Sequence, residues 1–231
     1  MKRFYSDVGI EQAEGGWCVT LDECPIRTHR GAVQLVPARS LAKLLAGEWR
    51  AQGEEVDPKA FVFRDIADYA IDMVAADRAA AIGATLPFAE TDTLCYRADP
   101  DEPLYRRQQE LWEPLIAGCE RRHGVALERV SGIVHRAHSP QTLAKLRQVL
   151  EAMDDFTLAA LQNLASLAAS LVTGLAALEP DADAEELFTA ANCEEDWQAE
   201  QWGWDVEAKK RRDARLAGFV AAATFAKAAR I

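Results

Sequence analysis

No stretch of this chain carries a standard loop for nucleotide chemistry. There is no GxxxxGK[ST] and no GxGxxG, and the glycines stand singly apart from Gly15-Gly16, so no backbone cradle for a phosphate is expected. Cysteine is sparse: Cys18, Cys24, Cys95, Cys119 and Cys193 contain no CxxC spacing, are odd in number and sit mostly in apolar surroundings, which fits a reducing compartment. Basic residues are in deficit, with 26 Lys+Arg against 37 Asp+Glu and a formal charge of −11. That balance argues against a nucleic-acid binder, which needs a basic face to release counterions. A basic or apolar protein surface is the expected partner. Behind the two basic residues of MKRFYSDVGI there is no apolar run of signal-peptide length, so the expected location is bacterial cytoplasm or a mature organellar form.

What is present suits a folded chain. Hydrophobic residues make up 49% and charged residues 27%, ordinary globular usage, and 231 residues can bury one good core or divide into a main domain with a smaller companion. The uncharged segment Phe156 to Leu178 is long enough to cross a membrane. Its Ala, Ser and Thr content, the internal Gln162, Asn163 and Gly174, and a leading Asp154-Asp155 in place of basic anchors predict a buried central helix instead. No membrane insertion is expected.

The first forty residues read as a small antiparallel meander. KRFYSDVGIEQ, GWCVTLD, IRTHR and AVQLV are short, β-branched or aromatic runs separated by turns at Gly15-Gly16 and Glu23 to Pro25. After Pro37 the period changes: Leu41, Leu44, Leu45, Glu48 and Trp49 fall at helical spacing, with Ser40 as a candidate cap. Further helices are predicted over 61–76, 77–86, 102–123, 140–152, 156–178, 183–202 and 205–228. Two extended runs, Thr93 to Arg97 and Leu127 to Val134, are candidates to return to the sheet.

Few residues suggest catalysis. Cys95, in TDTLCYR, is a candidate thiolate nucleophile, but a lone Cys between Leu94 and Tyr96 reads more simply as packed core. His135 and His138 have no third ligand at a supporting spacing, so no metal site is predicted. Adjacent carboxylates such as Asp154-Asp155 and Glu185-Glu186 point to different sides of a helix and read as caps and surface. No catalytic residue, cofactor or bound nucleotide is expected.

One stretch stands out. In CEEDWQAEQWGWD, residues 193–205, Trp197, Trp202 and Trp204 sit among Glu194, Glu195, Asp196, Glu200 and Asp205, with Glu207 just beyond. On a continuous helix Leu187, Ala191, Glu194, Gln198, Gln201 and Asp205 share one stripe. A face that begins apolar turns acidic at Glu194. Rings beside carboxylates make a protein-binding surface, the rings giving contact area and the acids partner choice. Equally, the tryptophans could close the core while the acids solvate it; spacing alone leaves both readings open, together with a generic acidic scaffold or a cysteine-dependent enzyme using Cys95.

Several segments resemble a known family: KRFY with VTLDECPIRT, LVPARSLAKLLAGEWRAQ, TDTLCYRA, LWEPLI followed by HGV, and EEDWQAEQWGWDVEA. Taken in that order they resemble the assembly chaperones of the F1 sector of ATP synthase, in particular the family that attends the alpha subunit. The resemblance implies an α+β chain, with a small antiparallel β-rich N-terminal domain over 1–55 and a mainly α-helical domain over 56–231. It implies a non-enzymatic chaperone that holds the free F1-ATPase alpha subunit and releases it as the hexamer forms, in the cytoplasm of bacteria or the mitochondrial matrix of organellar relatives. The family's acidic motif falls on Glu194, Glu195, Gln198, Trp202 and Gly203, the expected partner-binding residues. Trp49, Thr91, Asp92, Tyr96, Arg97 and Trp112 also match, and for these a structural role is expected. Cys24, His29 and the basic run Lys209 to Arg212 depart from the family pattern.

Overall fold

The computed structural model describes residues 1–132 and 134–230. The chain divides into two compact units, one formed by residues 1–81, 154–160 and 224–231, the other by 82–153 and 161–223.

In the first unit β1 (Val8–Ala13) and β2 (Gly16–Leu21) form an antiparallel hairpin from Val8↔Leu21 to Ala13↔Gly16. Gly15, at φ 90°, takes the turn position that side chains avoid. β2 then pairs with β3 (Cys24–Pro25) across Asp22-Glu23, both at positive φ as a twist-matched hairpin turn requires. The Asp22 carboxylate accepts from the Ser6 and Asp7 amides, which lowers its pKa. Beyond β3 the predicted strands thin to single bridges, Arg27↔Val33 and Trp17↔Val36. Gly16 sits where the second bridge passes: a Cβ there would lie 2.5 Å from the Val36 carbonyl oxygen. Gly16→Ala is therefore expected to cost about 1–3 kcal/mol by overpacking, read as a lower urea midpoint at unchanged slope.

Helix α1 (Arg39–Arg50) lays Leu41, Ala42, Leu45, Ala46 and Trp49 into the core of this unit. Ser40 does not cap it: the N-cap is Ala38, and the Ser40 hydroxyl donates instead to the Ala228 carbonyl at 2.6 Å. Trp49 packs between Tyr5, edge to face, and the tilted ring of Phe61, with ring centroids at 5.5 and 4.5 Å, and the Tyr5 hydroxyl donates to its carbonyl. Glu48 accepts from the Phe63 and Arg64 amides and so caps α2 (Val62–Tyr69), which continues as a π-helical turn, Ala70–Val74. In that turn Asp72 accepts from the Thr28 hydroxyl and the Arg30 amide, and neighbouring Asp68 binds His29 and Gln34.

After α3 (Arg78–Thr85) and the short α4 (Pro87–Glu90) comes the second unit's framework: α5 (Pro103–His123), α6 (Pro140–Glu151), α7 (Asp155–Ala168), α8 (Leu171–Ala177), α9 (Ala184–Ala191), α10 (Cys193–Trp202) and α11 (Val206–Ala229). The α3, α7 and α11 helices contribute residues to both units. The predicted single helix over 156–178 is two. Ala169, at φ 48°, turns the chain, and the buried Ser170 caps α8 by accepting from the Thr173 amide. No described helix is long and apolar enough to cross a membrane. Gly174 brings α8 close to α7, since a Cβ there would stand 3.2 Å from the Ala165 nitrogen. The two extended runs do not return to the meander: β4 (Tyr96–Arg97) pairs in parallel with β5 (Val130–Ser131) as a separate two-stranded sheet. Ile133, inside the second run, lies outside the described residues.

Candidate functional site

The TDTLCYR segment is built around Asp92. Its buried carboxylate accepts from the Leu94 amide at 3.0 Å and the Val172 amide at 2.9 Å, while the Thr93 amide and hydroxyl both donate to the Ala169 carbonyl. These bonds answer the backbone groups that the break between α7 and α8 leaves open. Burial outweighs the amide donors and pushes the Asp92 carboxyl up to about 6.

Cys95 follows on a short 3-10 turn, Thr93–Cys95, at 1% exposure. Burial pushes its thiol far above the ordinary range, the reverse of what a thiolate nucleophile requires. Among the described residues its sulfur has no hydrogen-bond partner. The two histidines are also committed elsewhere. His138 is buried, accepting at Nδ1 from the Glu128 amide and donating from Nε2 to the Ala89 carbonyl. His135 Nδ1 meets the Tyr96 hydroxyl at 2.7 Å. No group of three possible metal ligands occurs among the described residues.

Beyond Cys95 the chain is joined to Glu194 of the acidic helix through Gln108. Gln108, on α5 and fully buried, accepts from the Ala98 amide at 2.8 Å and donates to Glu194 at 2.6 Å. Arg97, also buried, donates to Glu113, whose second oxygen takes Arg129 at 2.6 Å. Arg129 reaches Glu120 as well, so a network of four residues, Arg97, Arg129, Glu113 and Glu120, ties β4 and the start of β5 to α5. Arg97 Nε is left unpartnered. Trp112, one turn past Gln108, is completely buried and donates to the Ala190 carbonyl at 2.6 Å. A cavity of 440 Å³ results, with Thr91, Tyr96, Arg97 and Glu102 in its lining and Glu194 at its wall. Two motifs about a hundred residues apart thus share one cavity.

The helix predicted over 183–202 is also broken. Asn192, at φ −98° and ψ 20°, separates α9 from α10, its side-chain amide donating to the Phe188 carbonyl. Glu194 is half-buried just after the break, whereas Gln198 and Gln201 are exposed. Asp205 is not on the helical stripe at all; it caps α11 by accepting from the Glu207 and Ala208 amides.

The six acids differ sharply in their partners. Asp196 forms a two-pronged pair with Arg212, both contacts at 2.6 Å, and Glu195 pairs with Arg215. Glu200 pairs with Arg107, whose guanidinium also lies over Trp197. Glu207 pairs with Lys210. Asp205 has its amides. Only Glu194, of these six and among the described residues, meets neither a cation nor a backbone amide. Its one partner is the neutral Gln108, and burial raises its pKa against the lowering effect of that hydrogen bond. Gln108 and the partner arginines had no spacing signal in the sequence.

At the far end of α10 the surface is aromatic. Trp202 is 81% exposed and Val206 67%, while Trp204 has Arg212 against its ring. Between the two tryptophans Gly203 ends the helix at φ 81° and ψ 164°, a conformation reserved for glycine.

A family model described as ATP12 chaperone protein matches residues 2–120. Among solved structures, that of Atp12 from Paracoccus denitrificans matches with a TM-score of 0.93 at 37% identity, covering 99% of this chain and 98% of that one. The structure of the Atu1473 protein from Agrobacterium tumefaciens matches equally, with a TM-score of 0.93, 37% identity, and coverage of 99% and 86%. The mitochondrial protein atp12 of Schizosaccharomyces pombe is 24% identical over 214 residues, 87% of this chain and 74% of its own length.

Proposed function

Because the chain belongs to the ATP12 chaperone family, we propose that it is a non-enzymatic assembly chaperone of the ATP synthase F1 sector, and that its client is the free alpha subunit. An unassembled subunit exposes the apolar interface it will later bury, and that surface aggregates unless it is held. The holding surface is built on α10 and its C-terminal cap: the half-buried Glu194, Glu195 beside Arg215, and the exposed Gln198, Trp202 and Gly203. The observation that carries this assignment is the contrast within one acidic helix, where among the described residues Glu194 alone has no cation or backbone amide as partner while keeping a half-buried position beside a cavity. A structural acid would be compensated as its neighbours are. Trp202 adds ring area at a place where it contributes nothing to the core. The generic acidic scaffold is less well supported, since Glu195, Asp196, Glu200 and Glu207 spend their charge on the chain's own arginines and lysine. The compartment that goes with this role is the bacterial cytoplasm.

Tagged protein is expected to co-purify with the endogenous alpha subunit; recovery of other proteins without it would overturn the assignment. Trp202→Ala is expected to leave the melting temperature unchanged, because the ring is exposed, and to weaken alpha-subunit binding by about 2 kcal/mol, roughly thirtyfold. Calorimetry on the purified pair reads the second quantity.

A further inference from the structure

A second surface of the helical unit borders the site above at Arg107 and Ala190. α5 forms one wall of a groove of 1200 Å³; the end of α8, the loop 178–183 and α9 form the other. Its floor is aliphatic, with Leu111 36% exposed and Leu115 and Leu187 partly buried beside it. The walls are oppositely furnished. On the α9 side Asp181, Glu185 and Glu186 are exposed and, among the described residues, have no cationic partner. On the α5 side Arg107 is paired with Glu200 and Arg122 with Glu179, which leaves the exposed Arg106 as that wall's one cation without an ion pair among the described residues. An apolar floor under one uncompensated acidic wall selects an occupant that is apolar on one face and basic on the adjacent edge. The volume exceeds what small ligands fill, roughly 300–1,000 Å³.

From this we infer that the α5/α9 groove takes a basic amphipathic helix of the client subunit, as a docking surface separate from α10. The inference rests on the client reading above. The two surfaces are physically continuous, since Arg107 lines the groove while pairing with Glu200 and covering Trp197 on α10. A client could therefore engage both at once, each adding to the effective concentration of the other. A second copy of this chain is a poorer occupant. Three of the four residues of its own basic run are already engaged, Lys209 on Asp213, Lys210 on Glu207 and Arg212 on Asp196, which leaves Arg211 alone to offer.

The test uses the full chain with a photoreactive benzoylphenylalanine at position 111, 202 or 62, mixed with purified F1-ATPase alpha subunit. Position 62 is an exposed valine in the first unit and serves as the control. Crosslinking to alpha from 111 and 202 but not 62, with the 111 adduct mapping to a Lys- or Arg-bearing helix, is the expected result. Crosslinking from 202 alone overturns the groove and leaves the client reading intact. No crosslink from either position overturns the client reading. Adducts between two copies of this chain at 111, or equal yield from 62, also overturn the groove. As a second measurement, Glu185→Lys with Glu186→Lys is expected to weaken alpha binding about tenfold at low salt and to flatten its salt dependence; unchanged affinity in a folded variant would remove the acidic wall from the recognition.

Discussion

Glu194→Lys is expected to abolish capture of the free alpha subunit while the chain remains folded. The reasoning starts from the isolation of this carboxylate: it is half-buried, raised in pKa by desolvation, and held only by the neutral Gln108. Removing one member of a desolvated charge pair across an interface costs about 2–5 kcal/mol, and reversing it adds repulsion. The binding constant should therefore fall at least about a hundredfold. The folding cost is smaller. Gln108 Nε2 loses its acceptor, about 1–3 kcal/mol, and a lysine stem at a half-buried position can carry its ammonium to solvent. For a domain of this size the melting temperature should drop by about 2–4 °C per kcal/mol. Glu194→Gln separates charge from geometry, because its side-chain oxygen can still accept from Gln108. If the glutamine variant binds like the parent, the charge is not what the partner reads; if the lysine variant binds within a few-fold of the parent, Glu194 is not a contact.

The largest effect on stability is expected at Asp92. Asp92→Ala would orphan the Leu94 and Val172 amides in the core, and at about 1–3 kcal/mol for each unsatisfied group the loss should be about 4 kcal/mol. Asp92→Asn keeps one acceptor but turns an amide nitrogen toward the other donor, so it should lose less than alanine. The same residue predicts a pH dependence. Its folded-state pKa of about 6 lies above the ordinary 3.8, so the stability it contributes is complete below about pH 3.8 and is lost as pH rises through 6. The difference corresponds to about 3 kcal/mol. Paired acids such as Glu113 and Glu200, whose pKa values are lowered, run the other way and lose their contribution as pH falls. The comparison must therefore be made against Asp92→Asn, which has nothing to titrate there. In urea titrations the advantage of the parent over that variant should be larger at pH 4.5 than at pH 7. An advantage that stays constant or shrinks would show that Asp92 is not held protonated by burial.

Local signals carried the first hairpin, the change of period after Pro37 and most helix bodies, because turn residues and apolar spacing act over a few positions. They failed at the breaks. Nothing in LAASLV marks Ala169 as a left-handed residue, since alanine is the best helix former. The turn there is held by Asp92 and Thr93, more than seventy positions earlier, which bond the groups it exposes. Asn192 divides α9 from α10 in the same way, where periodicity alone continues straight through. The parallel pairing of Tyr96 with Val130 was likewise out of reach, because a two-residue strand has no pattern of its own.

For the candidate site the division is similar. The sequence by itself determined that an acidic, tryptophan-bearing helix runs up to Trp202, and it singled out Glu194 on a stripe that assumed a helix unbroken at Asn192. Which acids are free to meet a partner was decided only by the tertiary structure. Asp196 and Glu195 find arginines 16 and 20 positions away on α11, and Glu200 finds one 93 positions away on α5. Glu194 finds only Gln108, 86 positions away. Charge compensation depends on distance in space and on burial, and neither is fixed by spacing along the chain once helices pack side by side.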